Sequence, residues 1–246
     1  MLSKAEIARL KSLREKKHRD ALGLFVVEGE KVVAELLSAG HPFCELYFTP
    51  RWVHSRPENV TVHSISEEDM ARISHYPTPS PVFAVGKIVR LPVRAEELNR
   101  GLTLLLDGLQ DAGNLGTLLR IADWYAFDRV VASQESVDFY NQKVINASMG
   151  SFSRVKFHSA SLPALLSEVS VPVLGCDLEG ESVHKLARLQ HAVVAIGSEG
   201  RGLSEAVKTR VTQFVTIPRF GSAESLNAAV AAAVVCDNLR RKSGEL

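Results

Sequence analysis

At 246 residues the chain is long for one small domain and suits two, and its 46% hydrophobic and 23% charged residues exclude a disordered or low-complexity chain. The formal net charge of +1 excludes a polycation, so any affinity for nucleic acid has to come from an uneven distribution of charge. Three cysteines, Cys44, Cys176 and Cys236, lie far apart with no CxxC and no zinc spacing, which predicts no metal site and fits a reducing cytoplasm.

The N-terminal residues, Met1 to Glu6, are charged and lack an apolar stretch, so no secretory signal is expected. Residues 4–19 then carry seven Lys and Arg against two Glu, a local +5. Such a run is either a solvated helix face or a contact for RNA phosphates. The first is the usual case, and the dense Lys16-Lys17-His18-Arg19 cluster brings the second level with it, with Lys11, Arg14, Lys16, Lys17 and Arg19 as the candidate contacts. Leu24 to Glu28 reads as a strand, followed by a helix from Glu30 to Ser38 closed by Gly40. Glu45–Thr49 and Val60–Ile65 read as strands. Ser66, followed by three acids, is the N-cap of a helix. The prolines of residues 76–81 force a loop, and Val82–Ile88 is a further strand. Residues 1–88 thus form a small α/β domain with mixed strands, and residues 89–100, with Pro92 and several charges, read as a linker.

From residue 101 to 246 strands and helices alternate. Strands are predicted at Thr103–Leu106, Arg129–Ala132, Arg154–His158, Val171–Gly175, Ala192–Ile196 and Gln213–Ile217, and a last helix from about Leu226 to Arg241. The alternation implies a mostly parallel sheet covered on both faces. The longest apolar run, Ala228 to Cys236, is about half the ~18 residues a membrane span needs.

Open parallel sheets bind ligands beyond the carboxyl ends of their strands, and three loops rich in Gly, Asn and Ser fall there. The first, Asp107 to Gly116, leads into a helix carrying Arg120; Asn114 either caps that helix or bonds a substrate. The second, Ile196-Gly197-Ser198-Glu199-Gly200-Arg201-Gly202, has three glycines that let backbone approach a ligand. Its G-x-x-G-x-G order is neither the dinucleotide fingerprint nor a phosphate loop. The third, Ile217 to Asn227, precedes an alanine-rich helix, and Ser225 there reads most simply as an N-cap.

In order and spacing, the segments DGLQDAGNLGTLLRIADWYAF (107–127), AIGSEGRGLS (195–204) and IPRFGSAESLNAAVAAAV (217–234) resemble the three motifs of the SpoU/TrmH family of RNA ribose methyltransferases, within the SPOUT superfamily. KSLREKKHRDALGLFVVEGEKVVAELL (11–37) and RISHYPTPSPVFAV (72–85) resemble that family's RNA-binding N-terminal domain, itself similar to ribosomal-protein folds. One departure is minor: two alanines follow Asn227 where Val and Ser are common. The resemblance implies a deep trefoil knot, against general topology rules, a homodimer, and S-adenosylmethionine as cofactor. It places cofactor contacts on Gly197, Ile217 and Leu226 and the catalytic arginine at Arg120. Asn114, Glu199, Ser225 and Asn227 complete the site. The implied substrate is a ribose 2′-hydroxyl of RNA, ribosomal RNA before transfer RNA.

Three rival functions stand beside this one. They are a methyltransferase acting on a base nitrogen, a noncatalytic RNA-binding or ribosome-assembly protein on a retained fold, and a nicotinamide oxidoreductase. The last lacks its fingerprint and its acidic ribose partner.

Overall fold

In the computed structural model, which describes residues 1–54 and 59–241, the chain divides into two compact units. One comprises Met1–Val89 together with Asp138–Arg154; the other comprises Arg90–Val137 and the chain from Val155 onward.

The first unit holds strands β1 (Leu24–Glu28), β2 (Phe43–Phe48), β3 (Thr61–Ser64) and β4 (Val82–Lys87) in the order β1-β4-β2-β3. Strand β4 is antiparallel to both neighbours and β2–β3 is parallel, so the sheet is mixed. Helices Lys4–Ser12 and Lys16–Leu22 precede it. The first opens with a capping box between Ser3 and Glu6, and the second stops at Gly23, whose φ of 65° suits glycine. Ser66 caps helix Glu67–Ile73 through its hydroxyl, which accepts from the Asp69 N–H at 3.1 Å. The proline loop is held from inside. The fully buried carboxylate of Glu28 accepts the Ser74 hydroxyl at 2.5 Å, the His75 N–H at 2.8 Å and the Ser80 N–H at 3.2 Å. Three donors offset the cost of burying that charge.

Residues 138–154 belong to this unit although they lie inside the stretch expected to be one C-terminal domain. The rings of Tyr140 and Phe152 pack on Phe25 at 4.9 and 5.8 Å, and the Tyr140 hydroxyl donates to the Val89 carbonyl at 2.6 Å. A linear reading divides a chain at composition shifts, and an excursion of this length has none. The strand expected from Arg154 starts later, at Lys156, because Arg154 ends a 3-10 turn over Ser151–Ser153.

The second unit is a six-stranded sheet of β5 (Leu102–Asp107), β6 (Arg129–Ser133), β7 (Lys156–Ala160), β8 (Val173–Ser182), β9 (Ala192–Gly197) and β10 (Gln213–Thr216). The order is β10-β8-β9-β5-β6-β7 and every pair is parallel. Strand β5 and residues 192–196 of β9 are buried at every position, the pattern of strands covered on both faces. The second half of the expected linker is not a linker. Residues Ala95–Leu98 form a helical turn, and Leu98 is fully buried with Leu105, Val131 and Val193. The last helix, Ala228–Arg240, packs on helix Ala112–Trp124, and Arg240 donates to the Tyr125 and Ala126 carbonyls at that helix's C-terminal end. Among the described residues, no helix is long and apolar enough to cross a membrane.

Strand order reverses between β5 and β9. From β5 the chain builds β6 and β7 to one side, while β9 lies on the other. Asp107 and Gly197, the last residues of these two strands, face each other in register. A crevice beyond such a reversal is where open α/β sheets take their ligands.

Candidate active site

Three loops leave the carboxyl end of this sheet, after β5, β9 and β10, and polar side chains from each meet. The side-chain oxygen of Asn227 accepts the Ala229 and Val230 N–H groups at 2.9 and 3.3 Å, which caps the alanine-rich helix. Its amide nitrogen must therefore point away, and it donates to Asn114 Oδ1 at 2.9 Å. That fixes Asn114 in turn, whose Nδ2 donates to Glu199 Oε1. A carboxylate only accepts, so each amide in the chain Asn227–Asn114–Glu199 has one permitted orientation. The relay stitches together all three loops, yet Glu199 and Asn227 are exposed and Asn114 half-buried.

Supporting bonds hold each loop. Asp107 is buried at the end of β5 and accepts the Ser204 N–H at 2.7 Å, clasping the first loop to the second. Asp111, not Asn114, caps helix 112–124, accepting the Asn114 N–H at 2.7 Å. Asn114 is thereby left free to spend its side chain on the relay. Ser133, the last residue of β6, and Ser136, three residues on, accept the Gly108 and Leu109 N–H groups at 3.0 and 3.1 Å. In the second loop Ser198 and Gly202 exchange backbone bonds at 3.1 and 2.9 Å, closing a tight turn. A Cβ on Gly197 would collide with the Gly202 carbonyl carbon and the Leu203 nitrogen, so only glycine fits there.

The sequence reading did not single out Asp107, Asp111, Ser133 or Ser136. Asp111 was findable, since an Asp three residues before the Asn of a helical first turn is an N-cap signature. The serines carry no local signal, because they lie 25 and 27 residues along the chain from the groups they accept from.

Other expected residues fall as follows. Gly197 ends β9, and Ile217 follows β10 directly and is half-buried. Ser225 is exposed and is not the N-cap, a place taken by Asn227. Leu226 is 48% exposed. Residues 218–226 form no backbone-to-backbone hydrogen bond among the described residues, and the Ala223 carbonyl accepts from the Arg219 guanidinium at 3.3 Å. Arg120 is the ninth residue of its thirteen-residue helix, and it is exposed. It shares the outward face with Trp124, which is 83% exposed, and no hydrogen bond or ion pair links it to another described residue.

In the first unit the basic segment splits in two. Lys11, Arg14, Lys16 and Lys17 are exposed, Lys17 with Glu15 at 3.1 Å. Arg19 is a correction: it is 3% exposed and cannot meet a phosphate. It pairs with Asp138 at 2.8 Å and donates to the Leu13 and Arg14 carbonyls, closing the turn between the first two helices. Arg9 is likewise engaged, by a two-pronged bond to Glu45 at 3.0 and 2.6 Å.

An open parallel sheet with three stitched loops beyond the carboxyl ends of its strands defines a ligand-binding α/β protein. The SpoU rRNA methylase family model matches residues 101–237, and an MRM3-like substrate-binding domain matches residues 4–84. The chain belongs to the SpoU rRNA methylase family.

Among its relatives, the 23S rRNA (guanosine(2553)-2′-O)-methyltransferase RlmP of Bacillus subtilis is 30% identical over 236 residues, 94% of each chain. The 23S rRNA (guanosine-2′-O-)-methyltransferase RlmB of Bordetella pertussis is 30% identical over 74% of this chain and 79% of its own. A solved protein assigned to the TrmH RNA methyltransferase family, from Porphyromonas gingivalis, superposes with a TM-score of 0.87 at 39% identity, covering 99% of this chain and all of that one. The SpoU methyltransferase AviRb from Streptomyces viridochromogenes, solved in complex with AdoMet, shares the fold with a TM-score of 0.84 at 23% identity, over 97% of each chain.

Proposed function

We propose that the protein transfers a methyl group from S-adenosylmethionine to a ribose 2′-hydroxyl of ribosomal RNA. The observation that carries this reading is the Asn227–Asn114–Glu199 relay, which fixes the geometry of three loops at the strand reversal while leaving them open to solvent. The 2′-O-methylating activity in the names of the relatives supports it.

The residues present suit the cofactor. The main chain of residues 218–226, which makes no backbone-to-backbone bond among the described residues, offers donors and acceptors of the kind an adenosine and an amino-acid end require, beside the half-buried Ile217. The backbone at Gly197, Ile217 and Leu226 would hold it. When bound, it supplies an electrophilic methyl and a neutral thioether leaving group. The remaining work is alignment of the hydroxyl and stabilisation of the charge developing on it. Asn114, Glu199, Ser225 and Asn227 shape the site. Arg120 takes the electrostatic role, binding the RNA phosphate and stabilising the developing alkoxide. A guanidinium with a pKa above ~12 is a poor base, so the hydroxyl proton leaves to water. The 2′-hydroxyl itself restricts the substrate to RNA.

The first unit supplies RNA affinity through Lys11, Arg14, Lys16 and Lys17, and the boundary between binding and chemistry lies near residue 90. The chain is knotted in its C-terminal part. In support, the last helix returns from the edge strand β10 to pack on helix 112–124 and on β9. It works as a cytoplasmic homodimer. The exposed Trp124 and Val230, on two helices that pack together, offer the apolar surface a second copy would cover.

Single-turnover transfer of labelled methyl to ribosomal RNA, followed by nucleoside analysis, tests the reading. The expected product is a 2′-O-methyl nucleoside. A base-methylated product, or no transfer with calorimetry showing no cofactor binding at millimolar concentration, overturns it.

A further inference from the structure

The loop between β10 and the last helix presents one side chain that the fold does not use. Residues 219–227 are exposed at every position. Phe220, at 97% exposure, is the most solvent-bathed large apolar side chain among the described residues of the second unit. A ring of that size left in water forgoes the whole gain of burial. The local chain holds it out. Arg219, just before it, turns back and donates from its guanidinium to the Ala223 carbonyl at 3.3 Å, which bends residues 219–223 into a short closed turn. Gly221, inside that turn, would meet nothing within 4 Å of an added Cβ, so the tip projects into open space.

Two kinds of neighbour could cover the ring, and they differ in what they need. A second protein surface needs a contiguous apolar patch. Trp124 and Val230 offer one, whereas from Arg219 to Ser225 Phe220 is the only large apolar residue. A nucleobase needs less, since its face stacks on a single aromatic side chain with polar surroundings. Position in the chain points the same way. Ile217 and Leu226, the cofactor contacts proposed above, bracket this segment, so a ribose brought to the methyl group carries its neighbouring bases past the tip.

We propose that Phe220 is a positioning residue for the RNA, its ring stacking on an unpaired base of the strand that bears the target ribose. Every base has a π-face, so the contact fixes where the strand lies without reading its sequence. A base inside a helix is already stacked on both sides, so the ring favours targets in unpaired RNA over targets in helices. The inference rests on the reading of the protein as an RNA methyltransferase.

The test uses the full chain with S-adenosylhomocysteine present. Fluorescence anisotropy at low salt measures binding of labelled decauridylate and of an abasic ribose-phosphate strand of the same length. Phe220→Ala is expected to bind decauridylate about tenfold more weakly than the parent, the scale of one stacked base, and the abasic strand unchanged. Phe220→Tyr and Phe220→Trp should keep parental affinity for decauridylate, and Phe220→Leu, apolar but not aromatic, should not. The position faces water, so all four variants should unfold at the parental temperature. A parent that binds decauridylate no tighter than the abasic strand, an equal loss on both strands in Phe220→Ala, no loss on either, or parental affinity in Phe220→Leu would each overturn the proposal. So would weaker S-adenosylhomocysteine binding or a smaller sedimenting species in Phe220→Ala, which would make the ring a cover for the cofactor or an interface residue. No methyl transfer enters the measurement. A protein that methylates RNA but fails here refutes only this inference, and one that shows the expected pattern but never methylates refutes only the enzymatic reading.

Discussion

The two units place their polar side chains in opposite ways. In the first, charges are buried and saturated: Glu28 takes three donors, and Arg19 answers Asp138 and two carbonyls. In the second, the linked side chains of Asn114, Glu199 and Asn227 lie at or near the surface and keep valences for something outside the chain. Buried and saturated polar groups fix a fold; ordered but solvent-facing ones prepare a site. If the distinction is sound, substitutions in the first set act on stability and those in the second act on chemistry.

The largest effect is expected at Arg19. Arg19→Met removes a buried cation from beside Asp138 and leaves two carbonyls without their donor, a loss of ~3–5 kcal/mol in urea denaturation. Removing both charges, Arg19→Met with Asp138→Leu, should recover part of it. A single variant as stable as the parent would mean the buried pair does not fix this unit.

Arg120 lies on the other side of the contrast. Arg120→Ala should unfold at the same denaturant concentration as the parent and bind cofactor unchanged, yet lose methyl transfer by ~100-fold or more, the scale of one transition-state stabiliser. Arg120→Lys should also be poor, because an ammonium cannot reproduce the planar fork. Parental turnover in a folded Arg120→Ala would make the residue structural and break the comparison at its most informative point.

Lys16 and Lys17 test a boundary within the first unit, since they are exposed neighbours of the buried Arg19. Reversing both to Glu should leave stability nearly untouched, weaken RNA binding about tenfold at low salt, and flatten the dependence of affinity on salt as phosphate contacts are lost. Unchanged affinity would return these lysines to a solvated helix face.

How legible each feature was in the sequence follows from how local its cause is. Strand β1 and helix Glu30–Ser38 begin and end where Leu24, Glu28, Glu30 and Ser38 were read, because hydrophobic period and glycine punctuation are local. Asn114, Glu199 and Asn227 could be named from a motif resemblance, but their relay could not, since its bonds span 85 and 113 residues. The fates of Arg9 and Arg19 were hidden for the same reason. Their partners, Glu45 and Asp138, lie 36 and 119 residues away, and a charge count cannot tell a cation facing solvent from one consumed inside. The excursion of residues 138–154 was invisible because Tyr140 and Phe152 look like any core aromatics until Phe25 is seen between them.

Asn227 belongs partly to both sets, since it caps a helix and also joins the relay. Asn227→Ala should cost ~1 kcal/mol of stability, the worth of an N-cap. It should also slow methyl transfer beyond what that loss explains, since Asn114 loses the donor that fixes its orientation. Asn227→Ser or Asn227→Asp separates the two roles. Each restores the cap, and neither supplies the amide donor, so stability should return while turnover stays low. Recovery of both would reduce Asn227 to a cap.

The smallest structural effect, and a sharp test of the second unit, is expected at Gly200. It shares a loop with Gly197, but the two glycines differ in what surrounds them. At Gly197 a side chain would collide with the backbone of Gly202 and Leu203, so Gly197→Ala must distort the turn. At Gly200 an added Cβ meets nothing within 4 Å, and the residue is exposed and outside the left-handed backbone region. The fold therefore gives no reason for a glycine there, and Gly200→Ala should change stability by less than ~0.5 kcal/mol, like other surface substitutions. The only remaining requirement is close approach by something outside the chain. If a ligand passes over this turn, Gly200→Ala should weaken cofactor or RNA binding while thermal unfolding stays at the parental temperature. If stability and both affinities are unchanged, the glycine is incidental, and the part of the second loop that approaches a ligand is limited to Gly197 and Glu199.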